Sequence, residues 1–215
     1  MATPLTYTQL HTALVTEGLD VVKERGSRAR CRCHLRSHQT EKLKVRSWGP
    51  VYGTMVHITA GALGKRSVAT YIRDIINGSK TVPTKAQLVV APDGTVHLNS
   101  AGRCNHAGKI GRAALNLTKV AGWSTSKKWQ DKRGHDVDGN THFYGIECIA
   151  LHTMTAAQRA ACVRICAAIA RAHHWDGNES IGHGEASDQR GPADPNLDMG
   201  DFRHDVMARV KAGAR

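Results

Sequence analysis

His57 stands near the end of the apolar run Thr54-Met-Val-His-Ile58, where a valine or threonine would fit a strand better. His183 lies between glycines in Ile181-Gly-His-Gly184, and Asp194 follows eleven residues later in Gly191-Pro-Ala-Asp-Pro195. Glu147 interrupts the apolar stretch Tyr144-Gly-Ile-Glu-Cys-Ile-Ala-Leu151, where a carboxylate is costly unless it takes up a proton or meets a cation. Two imidazoles and one carboxylate suffice to hold a single zinc ion with a fourth position open to water. Such an ion makes water acidic near neutral pH and polarises a carbonyl. A carboxylate beside it can move protons between that water and a leaving amine. With 13 histidines in the chain, spacing alone also admits a plainer reading. In it His57 is a structural residue of its strand and Glu147 a salt-bridge partner.

The elements that must carry these side chains are legible in outline. Thr6-x-x-Gln9 reads as a capping box opening a helix with Leu10, Ala13 and Leu14 on one face and Gly18 as its stop. Leu19 to Val22 reads as a short strand, and residues 25–47 as a basic, non-periodic loop or weak edge structure. Thr54 to Ile58 is a β run, and Ser67 to Ile76 has helical spacing ending at Asn77-Gly78. Gln87 to Val90 and Thr95 to Leu98 flank Ala-Pro-Asp93-Gly94, a hairpin signal. Residues 99–142 are Gly- and Lys-rich and read as one long functional loop. Tyr144 to Leu151 is a buried central strand. Thr155-x-x-Gln158 caps a helix with the stripe Cys162, Ile165, Cys166, Ile169. Glu179 to Asp194 reads as loop, and Asp201 to Val210 as a short closing helix. Strands alternate with helices throughout, which predicts one α/β domain.

Composition narrows the classes. The chain has 215 residues, 40% of them hydrophobic, enough for a packed core of Val, Ile, Leu and Ala, since aromatics are only 5%. No apolar run approaches the roughly 20 residues that span a bilayer, and the start has no signal-peptide pattern, so a cytoplasmic origin without stable membrane association is expected. Six cysteines in a chain of this length are expected to be reduced thiols. The Cys31-Arg-Cys33-His34 cluster lacks a second ligand pair at finger spacing. The net charge is +12. Residues 101–135 hold eight basic side chains against one acidic, and residues 176–205 reverse this with eight acidic and two arginines. A basic body suits polyanions: nucleic acid, anionic membrane or bacterial wall. Trp123 and Trp129 beside Lys127-Lys128 would suit base stacking, but no nucleic-acid motif accompanies them.

Five stretches in one order resemble a known family. They are Gly49-Pro-Val-Tyr-Gly-Thr-Met-Val-His57-Ile-Thr-Ala-Gly61, Val89-Val-Ala-Pro-Asp-Gly-Thr-Val96, Asn105-His-Ala-Gly108, Tyr144-Gly-Ile-Glu147, and Ile181-Gly-His183 through Asp194-Pro195. Together they resemble the zinc-dependent N-acetylmuramoyl-L-alanine amidases of the peptidoglycan-recognition-protein fold, in particular endolysins of phages infecting actinobacteria. The resemblance implies a central mixed β-sheet flanked by helices. It covers a core at about 45–205, so that a single amidase domain over 1–215 is expected with a helix–strand extension at 1–44, and the little room left after the final helix predicts no separate wall-binding domain. The resemblance makes His57, His183 and Asp194 the ligands of one zinc ion, and Glu147 the proton-transfer group. Asn105 and His106 then fall where the family lines its substrate groove.

Two departures from the family stand out. Ile58 replaces the second histidine often found at the first ligand. Pro192 stands where catalytic members commonly place a lysine two residues before the third ligand, in a loop one residue longer. Arg190 is the nearest cation to take that lysine's place, and Glu185 and Asp188 are alternative ligands to Asp194. The implied function is hydrolysis of the amide between N-acetylmuramic acid and L-alanine in bacterial peptidoglycan. A monomer made in the host cytoplasm would act on the wall after release. The alternative is a non-catalytic peptidoglycan-binding module of the same fold; nucleic acid is not an expected partner.

Overall fold

The computed structural model describes residues 2–29, 34–36, 43–45, 47–59, 66–77, 84–126, 130–189, 191 and 194–214, with the backbone alone at 34–36 and 43–45. The capping box at Thr6 forms: its hydroxyl accepts the Gln9 N–H, and the Gln9 side chain accepts the Thr6 N–H, opening α1 (Tyr7–Thr16). A cap of this kind is worth about 1 kcal/mol. Then come β1 (Val21–Lys23) and the antiparallel pair β2 (His34–Arg36) and β3 (Leu43–Val45). β4 (Gly53–Ile58) carries His57, and α2 (Val68–Asn77) follows it. The hairpin β5 (Leu88–Val90) to β6 (Val96–Leu98) turns at Asp93-Gly94, where Asp93 accepts the Thr95 N–H and Gly94 takes a φ of +91°.

Residues 99–142 are more structured than the loop expected there. They form β7 (Lys109–Ile110), α3 (Arg112–Lys119), β8 (Val137–Asp138) and a 3-10 turn (Gly139–Thr141). α3 has eight residues and opens at Gly111 without a side-chain cap, so neither periodicity nor a cap advertises it. β9 (Phe143–Cys148) carries Glu147, and the Thr155 capping box opens α4 (Ala156–His173). The segment after Glu179 is likewise not a loop at its start: β10 (Ser180–Gly182) runs directly into α5 (His183–Ala186), three and four residues long. α6 (Met199–Ala212) closes the chain, capped by Asp198.

Six strands form one mixed sheet in the order β1-β6-β5-β9-β4-β10, in which the β5–β6 pair is antiparallel and the others are parallel. β1 therefore makes the helix–strand extension part of the same sheet. Leu10 and Leu14 of α1, Ile165 and Ile169 of α4 and Phe202 of α6 pack against Val56, Leu88, Val96 and Ile146 on one face. On the other face Met55, Phe143 and Ile181 meet Ala114 and Leu115 of α3, while Val89 meets Tyr71 and Ile75 of α2. The period of two along a strand puts His57 and Glu147 on this second face, between the two apolar patches. Among the described residues no helix is long and apolar enough to cross a membrane. Cys104, Cys148, Cys162 and Cys166 are buried thiols outside any disulfide, while Cys31 and Cys33 lie outside the described residues.

Candidate metal centre

Parallel register assembles the site. β10 pairs with β4 so that Gly182 lies opposite Val56, which brings the next residue, His183, beside His57. β4 pairs with β9 so that His57 lies opposite Glu147. All three residues sit at the carboxyl ends of parallel strands, where open α/β sheets place their ligands. Asp194 reaches the same point from the segment after α5, and its Oδ1 accepts the Ile58 N–H at 2.9 Å.

Nδ1 of His57 lies 3.0 Å from Nδ1 of His183, which lies 3.1 Å from Oδ2 of Asp194; His57 Nδ1 is 3.7 Å from that oxygen. Both histidines are buried, and Asp194 is partly so. Among the described residues this is the group of histidine, cysteine and acidic side chains whose ligand atoms converge, all within 4.8 Å.

The outer ring atoms decide what the inner ones offer. Nε2 of His183 lies 2.9 Å from the Ala107 carbonyl oxygen, and Nε2 of His106 lies 3.0 Å from that of Phe143. Carbonyls only accept, so each of these nitrogens carries the proton. Burial, the largest cause, holds His106 well below its ordinary pKa, so its ring is neutral and its Nδ1 is an acceptor. That atom lies 3.0 Å from Nε2 of His57, which therefore donates. His57 and His183 are left with lone pairs on Nδ1, facing each other and a carboxylate oxygen. Three acceptors at this separation repel unless a cation lies between them. Around a tetrahedral ion with bonds of about 2.1 Å, ligand atoms stand about 3.4 Å apart; separations of 3.0, 3.1 and 3.7 Å bracket that value. A proton is the competing occupant. Burial raises the Asp194 pKa, but with a proton on either Nδ1 in place of a cation that charged ring donates to Asp194, which outweighs burial and holds the carboxyl well below the usual range.

The supporting shell lies largely in the segments read as loop. Asn140 Oδ1 accepts the N–H groups of Ala107 and Gly108 at 2.8 and 3.2 Å, which aims the Ala107 carbonyl at His183. Buried Arg103 ties the same loop to Asp138 at 2.8 Å and to Asn105 at 3.0 Å. Glu185 takes both guanidinium ends of Arg203 at 2.9 and 3.1 Å and accepts the Gly182 N–H at 3.0 Å, locking α5 and hence His183 onto α6. Glu185 is thus occupied, and Asp188 pairs with His135 at the surface, so neither competes with Asp194 as a ligand.

The expected site residues fare differently. His57, His183 and Asp194 come together, with Glu147 one strand away. Asn105 is partly exposed beside the site, its Oδ1 held by Arg103. His106 was expected in the groove wall; it lies instead behind His57, 8% exposed, with both ring nitrogens engaged by protein. Arg190 and Pro192 lie outside the described residues. So do Lys127, Lys128 and Trp129, while Trp123 is buried, donates to Thr118 at 2.9 Å and lies under Arg203, where no base can stack. Sequence reasoning missed Asn140, Ala107, Arg203 and Gly145. For Gly145 there was a signal, since glycine inside a buried strand marks close approach of a neighbour.

A family model described as N-acetylmuramoyl-L-alanine amidase matches residues 47–196. No curated protein matches the chain in sequence. The fold is similar to that in the crystal structure of a selenomethionine AmpD derivative, with a TM-score of 0.52 and 14% identity over 87% of this chain and 94% of that one.

Proposed function

The chain belongs to the N-acetylmuramoyl-L-alanine amidase family, and we propose that it is a zinc-dependent hydrolase of bacterial peptidoglycan. In this reading it cuts the amide between the lactyl carbonyl of N-acetylmuramic acid and the nitrogen of L-alanine. The observation that carries the reading is the convergence of lone pairs from His57, His183 and Asp194, each held by a hydrogen bond on its far side.

Zinc held by these three residues supplies Lewis acidity, which makes water acidic near neutral pH and polarises the amide carbonyl. Glu147, placed beside His57 by the register of β4 and β9, takes the proton from the attacking water. It then returns that proton to the alanine nitrogen as the carbon–nitrogen bond breaks. Arg190, the cation nearest Asp194 in the intervening sequence, is assigned to the negative charge developing on the carbonyl oxygen. A guanidinium stays protonated, so it contributes charge and hydrogen bonds, and proton transfer falls to Glu147 alone. The resemblance to phage endolysins supports a role in host lysis, with synthesis in the host cytoplasm and action on the wall after release.

Replacing His183 with Ala tests the assignment. Metal content should fall from one zinc per chain to none and wall lysis should disappear, with the far-UV circular dichroism unchanged. Full lysis by the variant would overturn it. Stoichiometric zinc in the wild type without any cleavage would favour the binding module instead.

A further inference from the structure

His106 was expected to touch substrate, and its surroundings give it other work. Its ring stands edge-on to that of His57, with centroids 5.2 Å apart at 80°. Nδ1 faces His57 at 3.0 Å and Nε2 faces the Phe143 carbonyl at 3.0 Å. The ring rests on Gly145 of β9, where an added Cβ would stand 2.3 Å from its Cγ and 2.6 Å from its Cδ2. Real Cβ atoms do not approach that closely, and neither the strand nor an imidazole hydrogen-bonded at both nitrogens has a flexible end to give way. The glycine is therefore what admits the ring. Asn140 fixes the backbone that follows, through the Ala107 and Gly108 N–H groups.

We propose that His106 is a positioning residue that sets the tautomer of His57, and that Gly145 is the clearance it requires. The Phe143 carbonyl orients the His106 proton outward, His106 accepts the proton of His57 Nε2, and His57 is left with its lone pair on Nδ1, toward His183 and Asp194. Without the acceptor, His57 is free to carry its proton on Nδ1, the tautomer that cannot bind a cation there. Outer partners of this kind typically change metal affinity 10- to 100-fold. The inference rests on the zinc reading for its consequence, but the tautomer itself is a property of the metal-free chain.

Two readouts test it. In the metal-free wild type, long-range nitrogen–proton NMR should show His57 protonated on Nε2; protonation on Nδ1 would overturn the proposal whether or not zinc binds. Zinc affinity, read by competition with a chromophoric chelator, should fall about 10- to 100-fold in His106→Phe, which keeps the bulk and loses the acceptor. Gly145→Ala should weaken zinc similarly although it adds only a methyl group. His106→Gln, whose amide can both accept from His57 and donate to Phe143, should stay within a few-fold of wild type. Unchanged affinity in His106→Phe, or equal losses in the Phe and Gln variants, would reject the positioning role. If His106→Phe does not fold, the wild-type tautomer and the Gln variant decide the matter. Failure of the wild type to bind zinc would sink the proposed function, and the tautomer would still decide the relay.

Discussion

Each imidazole at the centre has one proton to place, and the protein places it on the nitrogen facing away from the site. His183 spends its proton on the Ala107 carbonyl, His57 on His106, and the Asp194 Oδ1 receives the Ile58 amide. The inner atoms are thereby committed to accepting. Glu147 differs from these three: it faces the same side as His57 from the neighbouring strand and does not belong to the converging group. Its substitution should separate proton transfer from metal binding. Glu147→Gln is expected to lower the rate of wall solubilisation by about 10²- to 10⁴-fold. Zinc content should stay at one per chain, measured on the same preparation by atomic absorption. Loss of zinc along with activity would make Glu147 a ligand or a support for one.

The strands place these residues more through register than through their own length. β10 has only three residues, yet pairing with β4 and turning at once into α5 is what delivers His183. At its other end, Glu179 is pushed up to about 7 by burial, with the Gly177 N–H as a hydrogen-bond donor at 3.1 Å. An unfolded glutamate titrates near 4.5, so below that pH both states are neutral and the residue costs nothing. As pH rises from there to about 7 the unfolded chain ionises first, and stability is lost through that window. The melting temperature should therefore drop between pH 5 and pH 8, and Glu179→Gln should flatten that drop; an equal drop in the variant would contradict it. The sequence made α1, α4 and the β5–β6 hairpin legible because capping boxes and a turn signal mark their ends. The apolar runs of β4 and β9 exposed His57 and Glu147 as misfits. α3, α5, β7, β8 and β10 carry no such marks: at two to eight residues they are too short for periodicity, and pairing partners far along the chain define them. That is also why the contacts of His106 could not be read from the sequence, since its neighbours His57 and Gly145 come from other strands.

On the scale of the whole molecule, the net charge of +12 meets a substrate wall rich in phosphate and carboxylate. Lys109, Arg112, Lys119 and Arg133 are exposed on β7, α3 and the segment beside α5, the flank of the site that supplies the Ala107 carbonyl. Arg112 and Arg133 are partly offset by Asp136 and Asp131, so the attraction is a matter of the summed field. Wall lysis should weaken several-fold between about 0.1 M and 1 M salt, as the Debye length falls from about 10 Å to about 3 Å. Cleavage of a small soluble muropeptide should change little over that range; equal losses on both substrates would place the salt effect at the site instead. The central claim is tested most directly by the bond that is cut. Purified peptidoglycan digested by the protein, with and without a chelator, should show by mass spectrometry new L-alanine amino ends on intact glycan strands. These ends should be lost on chelation and restored by zinc. New glycan or cross-bridge ends, or alanine ends that persist in the chelator, would contradict it.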